Sequence, residues 1–394
     1  MNSVKLKGIA WGHSRGYVPL VATGQRFSEL HPGVEVQWDR RSLQSFADQS
    51  VQALAQDYDL LVIDHPCIGE AQEGRLFLPL DEHLAQDFLS NQAAHSVGAS
   101  HASYHYAGHQ WALAIDAATP VSAARLDVLH QAGEQVPQTW EALIALARKG
   151  LVAFAGLKLD CLMHFYTLCK VEGQEPFCEP HRMVDPEVAA AALTALKELT
   201  QACGPECLQR NPIAVYELMT QTNRYGYSPL AYGYSNYARA SYVDTPLTFG
   251  GLIHRNAEQL TSTLGGCGLS VSAQTAHPEW AVQYAAFVAS ENTQTGLYTE
   301  VGGQPGHRRA WLDTNNNHRT QQFFSHTLGT LDQAYVRPRY NGYIHFQEQA
   351  PEVVLRFLQG QEGLRNTLAQ LEALDQTWRQ GRVNERLHLQ KATS

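Results

Sequence analysis

The start of the chain alternates between two hydrophobic periods. KLKGIAW (5–11) reads as a short strand, and residues 17–30 bring Leu20, Val21, Phe27 and Leu30 near helical spacing before His31, Pro32 and Gly33 break the pattern. VEVQW (34–38) predicts a second strand and SLQSFADQSVQALAQ (42–56) a second helix. DLLVID (59–64) predicts a third strand, whose unbroken apolar run implies burial on both faces. This βαβαβ order implies parallel strands joined by right-handed crossovers, and so a doubly wound lobe.

SYHYAGHQWALAID (103–116) predicts a hairpin around Ala107 and Gly108. Beyond Asp116 the texture turns to alanine-rich helices, at 139–150 with Thr139 as N-cap and at 186–200. A tyrosine-rich stretch, YGYSPLAYGYSNYAR (225–239), precedes the glycine-rich LGGCGLSVSA (264–273). A further helix is predicted at 279–290, and Leu364, Leu368, Leu371, Leu374 and Trp378 form one apolar helical stripe, the pattern of core packing. At 394 residues the chain exceeds what one hydrophobic core organises, so two lobes are expected.

Composition narrows the partners. A formal charge of −9 without a Lys/Arg block speaks against nucleic acid or an anionic membrane, which need positive potential. Seven scattered cysteines do not form a disulfide framework; only Cys203 and Cys207 (CGPEC) lie close enough for a local bridge, and two free thiols at a helix end are the simpler reading. MNSVKLKGIAWG reads directly as a strand with no secretion signal before it, which leaves a trimmed signal or a cytoplasmic protein as the expectations.

No catalytic signature stands out: G-x-S-x-G, H-E-x-x-H, a Walker loop and a dinucleotide G-x-G-x-x-G are absent, and no catalytic residue, metal or cofactor is expected. His101, His105 and His109 have the spacing of stacked metal ligands on a helix, but in a hairpin they do not converge. The sharper constellation lies at strand ends, where open parallel sheets bind ligands. WGHSRGY follows the first strand and DHP the third, which puts Trp11, His13, Arg15, Tyr17, Asp64 and His65 on one rim. Each also has a plain structural explanation: Trp11 as core, Arg15 paired with Asp64, Tyr17 as a staple of the helix start.

These residues resemble the extracellular solute-binding proteins of ABC importers, in the branch that includes maltose- and other sugar-binding proteins. The likeness runs through FSELHPGVEVQW (27–38), DLLVIDHP (59–66), WALAIDAATPV (111–121), PLAYGYSNYAR (229–239), LGGCGLSVSA and GGQPGHRRAW (302–311). It implies an α/β, two-lobed periplasmic-binding-protein-like fold, each lobe a mainly parallel sheet flanked by helices. Lobe 1 would take 1–118 plus 245–312 and lobe 2 would take 119–244 plus 313–394, with hinges near 116–120 and 242–248 and a ligand cleft between the lobes.

In such a site Trp11, Tyr17, Tyr232, Tyr234 and Tyr237 would stack on a sugar or meet its hydroxyls, and Asp64, Asp116, Asn236 and Arg308 would anchor them. Gly265 and Gly266 would let backbone amides approach, and Arg337 would add a fork for an acidic ligand. Replacing Trp11 or Arg308 by Ala would then leave the ligand-free melting temperature almost unchanged.

The implied function is non-catalytic binding of a carbohydrate or polar organic acid. The protein would be monomeric, with ABC permease subunits as partners, and would lie outside the cytoplasm. The alternative is a cytoplasmic enzyme or ligand sensor on the same fold, with His13, Asp64 and His65 as acid/base groups; fold alone does not separate the two.

Overall fold

A computed structural model describes residues 3–42 and 51–382. In chain order the elements used below are β1 (Val4–Trp11), α1 (Ser14–Leu30), β2 (Val34–Arg41), β3 (Leu60–Ile63), β4 (Leu113–Ala118), β5 (Pro120–Ala124), α2 (Trp140–Arg148), α3 (Lys158–Val171), α4 (Pro186–Cys203), β6 (Tyr227–Tyr232), β7 (Thr248–Gly250), β8 (Gly265–Val271), α5 (Pro278–Ala289) and α6 (Leu364–Trp378). The helix expected at 42–56 appears at Val51–Asp57; residues 43–50 lie outside the described residues.

The chain divides into two compact units. Unit 1 comprises Met1–Ala118, Leu264–Asp332 and Arg339–Asn341; unit 2 comprises Thr119–Thr263, Gln333–Pro338 and Gly342–Ser394. Residues 245–263 therefore fall in unit 2 and 313–332 in unit 1, unlike the expected boundaries. Strand pairing explains the first: β7 hydrogen-bonds to β5, Ser122 opposite Gly250. Aromatic packing explains the second, since Phe323 and Phe324 close on Trp311 at 6.1 and 5.0 Å. The 242–248 hinge candidate lies wholly inside unit 2, and the chain passes back to unit 1 at Thr263/Leu264 instead.

Unit 1 is built on a five-stranded sheet in the order β2-β1-β3-β8-β4. β1 pairs in parallel with β2 from Val4↔Val34 to Trp11↔Arg41 and with β3 through Gly8↔Leu60 and Ile9↔Leu61. All four residues of β3 are buried, as an unbroken apolar run at a sheet centre requires. β8 is antiparallel to both β3 and β4, so the sheet is mixed. Leu6, Leu20, Phe27, Val62, Ile115, Leu269 and Tyr284 form its core. The hairpin turn at Ala107 and Gly108 carries φ of 50° and 89°, the left-handed pair that a two-residue hairpin turn requires.

Unit 2 departs further from a mainly parallel sheet. Its three-stranded sheet, β6-β5-β7, is antiparallel throughout, and a parallel bridge from Val152 to Tyr227 adds one more segment beside β6. α3 is buried on nearly every side, with Phe165, Leu168 and Cys169 inaccessible, and makes a central helix against α4. Thr139 caps α2 by accepting from the Ala142 N–H at 3.3 Å. On α6 Leu371 is fully buried while Leu364, Leu368, Leu374 and Trp378 are half-buried, so the stripe packs inward.

Candidate ligand-binding site

WGHSRGY is largely a piece of structure. The Trp11 indole is 4% exposed and lies flat against Gly16, where a Cβ would come within 2.3 Å of the ring; glycine is what lets the indole in. α1 starts at Ser14 rather than near Tyr17, because the His13 Nδ1 caps it by accepting from the Arg15 N–H at 3.0 Å. Burial, reinforced by the neighbouring Arg15 charge, lowers the His13 imidazole to about 4, which suits an acceptor. Arg15 pairs with Asp116, not Asp64: its Nε donates to Asp116 Oδ2 at 2.8 Å and its Nη2 to Oδ1. Burial pushes the Asp116 carboxyl up while Arg15 draws it down. Tyr17 is half-buried, its hydroxyl donating to the Trp38 carbonyl at 3.1 Å under the Arg40 guanidinium.

The other residues placed on unit 1 have definite partners too. Asp64 caps the short turn His65–Cys67, accepting from the His65 N–H at 2.9 Å and keeping about a third of its side chain exposed. His65 is 1% exposed, its Nδ1 3.2 Å from Asp64 Oδ1. Gly266, at φ 96°, is forced to be glycine by the Asp116 carbonyl, 2.3 Å from where a Cβ would stand. Gly265 and Gly266 pair with Ala118 and Ala117, so their close approach is to β4. Arg308 is held by Asp332 through both Nη atoms and by the Ser96 carbonyl at 3.2 Å, which makes it a clamp within unit 1.

In unit 2 the YGYSNYAR segment forms an aromatic cluster. Tyr234 and Tyr237 pack with Tyr216, and Phe249 closes on the Tyr216 ring at 5.3 Å. Tyr237 is inaccessible, and its hydroxyl donates to Glu217 Oε1 at 2.7 Å; burial, with Glu217 beside it, pushes the phenol far above its usual range. That excludes it as a stacking face. Tyr232 is half-buried, its hydroxyl 2.8 Å from Thr263 Oγ1. Asn236 differs: it is 2% exposed, and its side-chain oxygen is buried with no hydrogen-bond partner among the described residues. Arg337 is 3% exposed with Nη1 on Gln347 Oε1 at 2.9 Å, so it serves unit 2 itself.

The sequence profile of the bacterial extracellular solute-binding proteins matches residues 22–308, most of the chain. The chain belongs to that family. Among curated proteins no match is found. The fold of this solute-binding protein is that of solved two-lobed binding proteins. The maltose-bound MalE3 of T. maritima superposes with a TM-score of 0.81 at 17% identity, covering 94% of this chain and 98% of that one. An ABC-transporter solute-binding protein from Agrobacterium radiobacter K84, in complex with ribitol, gives 0.81 at 16% over the same shares. Another from Agrobacterium vitis S4, with bound D-mannitol, gives 0.78 at 14%, covering 99% of each chain.

Sequence reasoning passed over Arg41, which ends β2 within electrostatic reach of Cys67 and Cys267. The rule that picked out Trp11 and Asp64, that strand ends gather the ligand groups, would have found it. Two hollows open on unit 1 of this solute-binding protein, of about 420 Å³ beside Phe27, His31 and Phe287 and about 320 Å³ beside Thr295, Glu300 and Asn316. None of the candidate ligand-binding residues named from sequence lines either. Among the described residues no group of three or more His, Cys, Asp or Glu side chains is placed to hold a metal ion, and all seven cysteines are free thiols.

Proposed function

We propose that this protein binds a neutral polyhydroxylated solute, a sugar or polyol, as the extracytoplasmic, monomeric binding component of an ABC-type importer. One observation carries the reading: the buried side-chain oxygen of Asn236, among the tyrosines of unit 2, has no partner among the described residues. A buried polar atom left without a hydrogen bond costs free energy, so its retention is best explained by a partner that arrives with the ligand. The half-buried Tyr232 of the same unit would supply a further hydroxyl and ring face.

Two further points support a neutral solute. Maltose, ribitol and D-mannitol are the molecules bound in the similar structures. Arg15, Arg308 and Arg337, three of the cations the sequence offers to an acidic ligand, already have protein acceptors.

The test is a thermal-shift and calorimetric screen of maltose, ribitol, D-mannitol and D-glucose against the full chain. A bound solute raises the melting temperature because it stabilises only the folded state. A screen in which none of these shifts the transition or releases heat overturns the proposal.

A further inference from the structure

α1 begins beside His13 and Arg15 and ends, about 25 Å away along its axis, at the larger of the two hollows of unit 1. That hollow, of about 420 Å³, is therefore remote from the residues gathered at the start of the helix. It is lined by Phe27 and Val282, 1% and 5% exposed, and by the half-buried His31, Leu84 and Phe287. Glu279 lines it too, exposed and in no ion pair with a described residue. Apolar and aromatic walls with a few polar groups are the usual make-up of a small-molecule site of this size.

Two helices bring an aromatic group together there. Phe27 and His31, four residues apart on α1, set their rings 4.4 Å apart, and Phe287 of α5 closes on Phe27 at 5.6 Å. Trp280, also of α5, meets Phe27 and His31 edge-on at 6.4 and 5.4 Å. Of the four rings only Phe27 is inaccessible; His31, Trp280 and Phe287 keep open surface. Aromatic faces carry negative charge density and attract a cation within about 6 Å.

The charges around the rings have the same sign. The last turn of α1 holds no basic residue to offset the partial negative charge of its carbonyl end, and Arg26 is engaged by Glu29 at 3.0 Å. Among the described residues no Lys or Arg lines the hollow, where Glu279 faces only the imidazoles of His31 and His83 as titratable neighbours. An anion would be repelled here, and a purely apolar ligand would leave the carboxylate and the helix end unanswered. We propose that this hollow is a second binding site, for a small hydrophobic cation of the quaternary-ammonium class, held on the faces of His31 and Phe287 with Glu279 as its counter-ion. The site is separate from the solute-binding reading above and does not depend on it.

The experiment titrates the full chain with tetramethylammonium, choline and neohexyl alcohol, in which a carbon replaces the choline nitrogen, by calorimetry at about pH 8, where an ordinary imidazole is uncharged. The wild type is expected to bind choline saturably with a Kd of about 1–10 mM, and the neutral isostere about tenfold more weakly. Glu279→Gln should weaken choline about threefold and leave the ligand-free melting temperature within about 2 °C of wild type. Phe287→Leu keeps an apolar side chain but removes a ring face, so it should weaken choline about threefold or more while changing the affinity for neohexyl alcohol less.

A wild type that binds neither cation overturns the proposal. So does neohexyl alcohol binding as tightly as choline, the mark of an apolar hollow with no preference for charge. Choline affinity unchanged in both variants puts the cation elsewhere on the chain and overturns the assignment of this hollow, and a lowered melting temperature with that unchanged affinity makes Glu279 and Phe287 packing residues.

Discussion

The Arg15 guanidinium and the Asp116 carboxylate meet in a two-bonded pair, with the Arg side chain 4% and the Asp side chain 0% exposed, joining the start of α1 to β4 across 101 residues of sequence. Taking both charges out of water is costly, and what holds the pair is its geometry. Removing one partner strands the other, so Arg15→Ala or Asp116→Ala should each cost about 3–5 kcal/mol in urea unfolding. The double replacement Arg15→Met/Asp116→Leu should recover most of that. Single losses under about 1 kcal/mol would mean that the pair behaves like an exposed one.

Trp11 and Gly16 make a second interlock of the same corner. An indole in the sequence of a binding-site loop invites a stacking role, yet here the ring fills the space that a Cβ on residue 16 would need. Trp11→Ala should therefore destabilise the ligand-free protein by about 3–5 kcal/mol through the cavity it leaves. Gly16→Ala should also destabilise it, by overpacking. Calorimetric melting of the ligand-free variants decides: a Trp11→Ala transition within about 2 °C of wild type would return the indole to the ligand.

Local order in this chain was written locally. β1, α1, β2 and β3 follow from alternating periods, and the Thr139 cap and the Ala107–Gly108 turn from single residues with strong conformational preferences. What sequence could not supply was pairing at a distance. LGGCGLSVSA looks the same whether it continues a parallel sheet or, as here, enters the first sheet antiparallel between β3 and β4. Arg15 had Asp64 as its nearest carboxylate by rim logic and found Asp116 instead.

Three histidines carry an acid liability. Burial lowers His13, His101 and His164 to about 4, so the folded chain keeps them neutral while the unfolded chain protonates them near the usual 6.5. Their contribution is fully present above about pH 6.5 and is lost as the pH drops towards 4. His164 is the cleanest probe, 2% exposed with Nε2 donating to the Ala155 carbonyl at 2.8 Å. His164→Gln retains a donor but has nothing to protonate. Whatever it loses at pH 7, the gap to wild type should narrow between pH 7 and 4.5, by about 3 kcal/mol at most. A gap that stays constant would place the acid sensitivity elsewhere.

Asn236 and Tyr237 are neighbours in sequence and should respond oppositely. Tyr237 spends its hydroxyl on Glu217 inside unit 2, a bond to a charged acceptor, so Tyr237→Phe should cost about 1.5–3 kcal/mol of stability and leave solute affinity unchanged. Asn236 has no partner for its side-chain oxygen among the described residues, so Asn236→Ala removes an unmet acceptor, and the ligand-free protein should stay within about 1 kcal/mol of wild type. Affinity for the neutral solute should nevertheless fall at least about tenfold. Urea unfolding and calorimetry on the two variants separate the cases. If Asn236→Ala unfolds early and binds normally, the amide is a structural group, and the tyrosine segment is core rather than site.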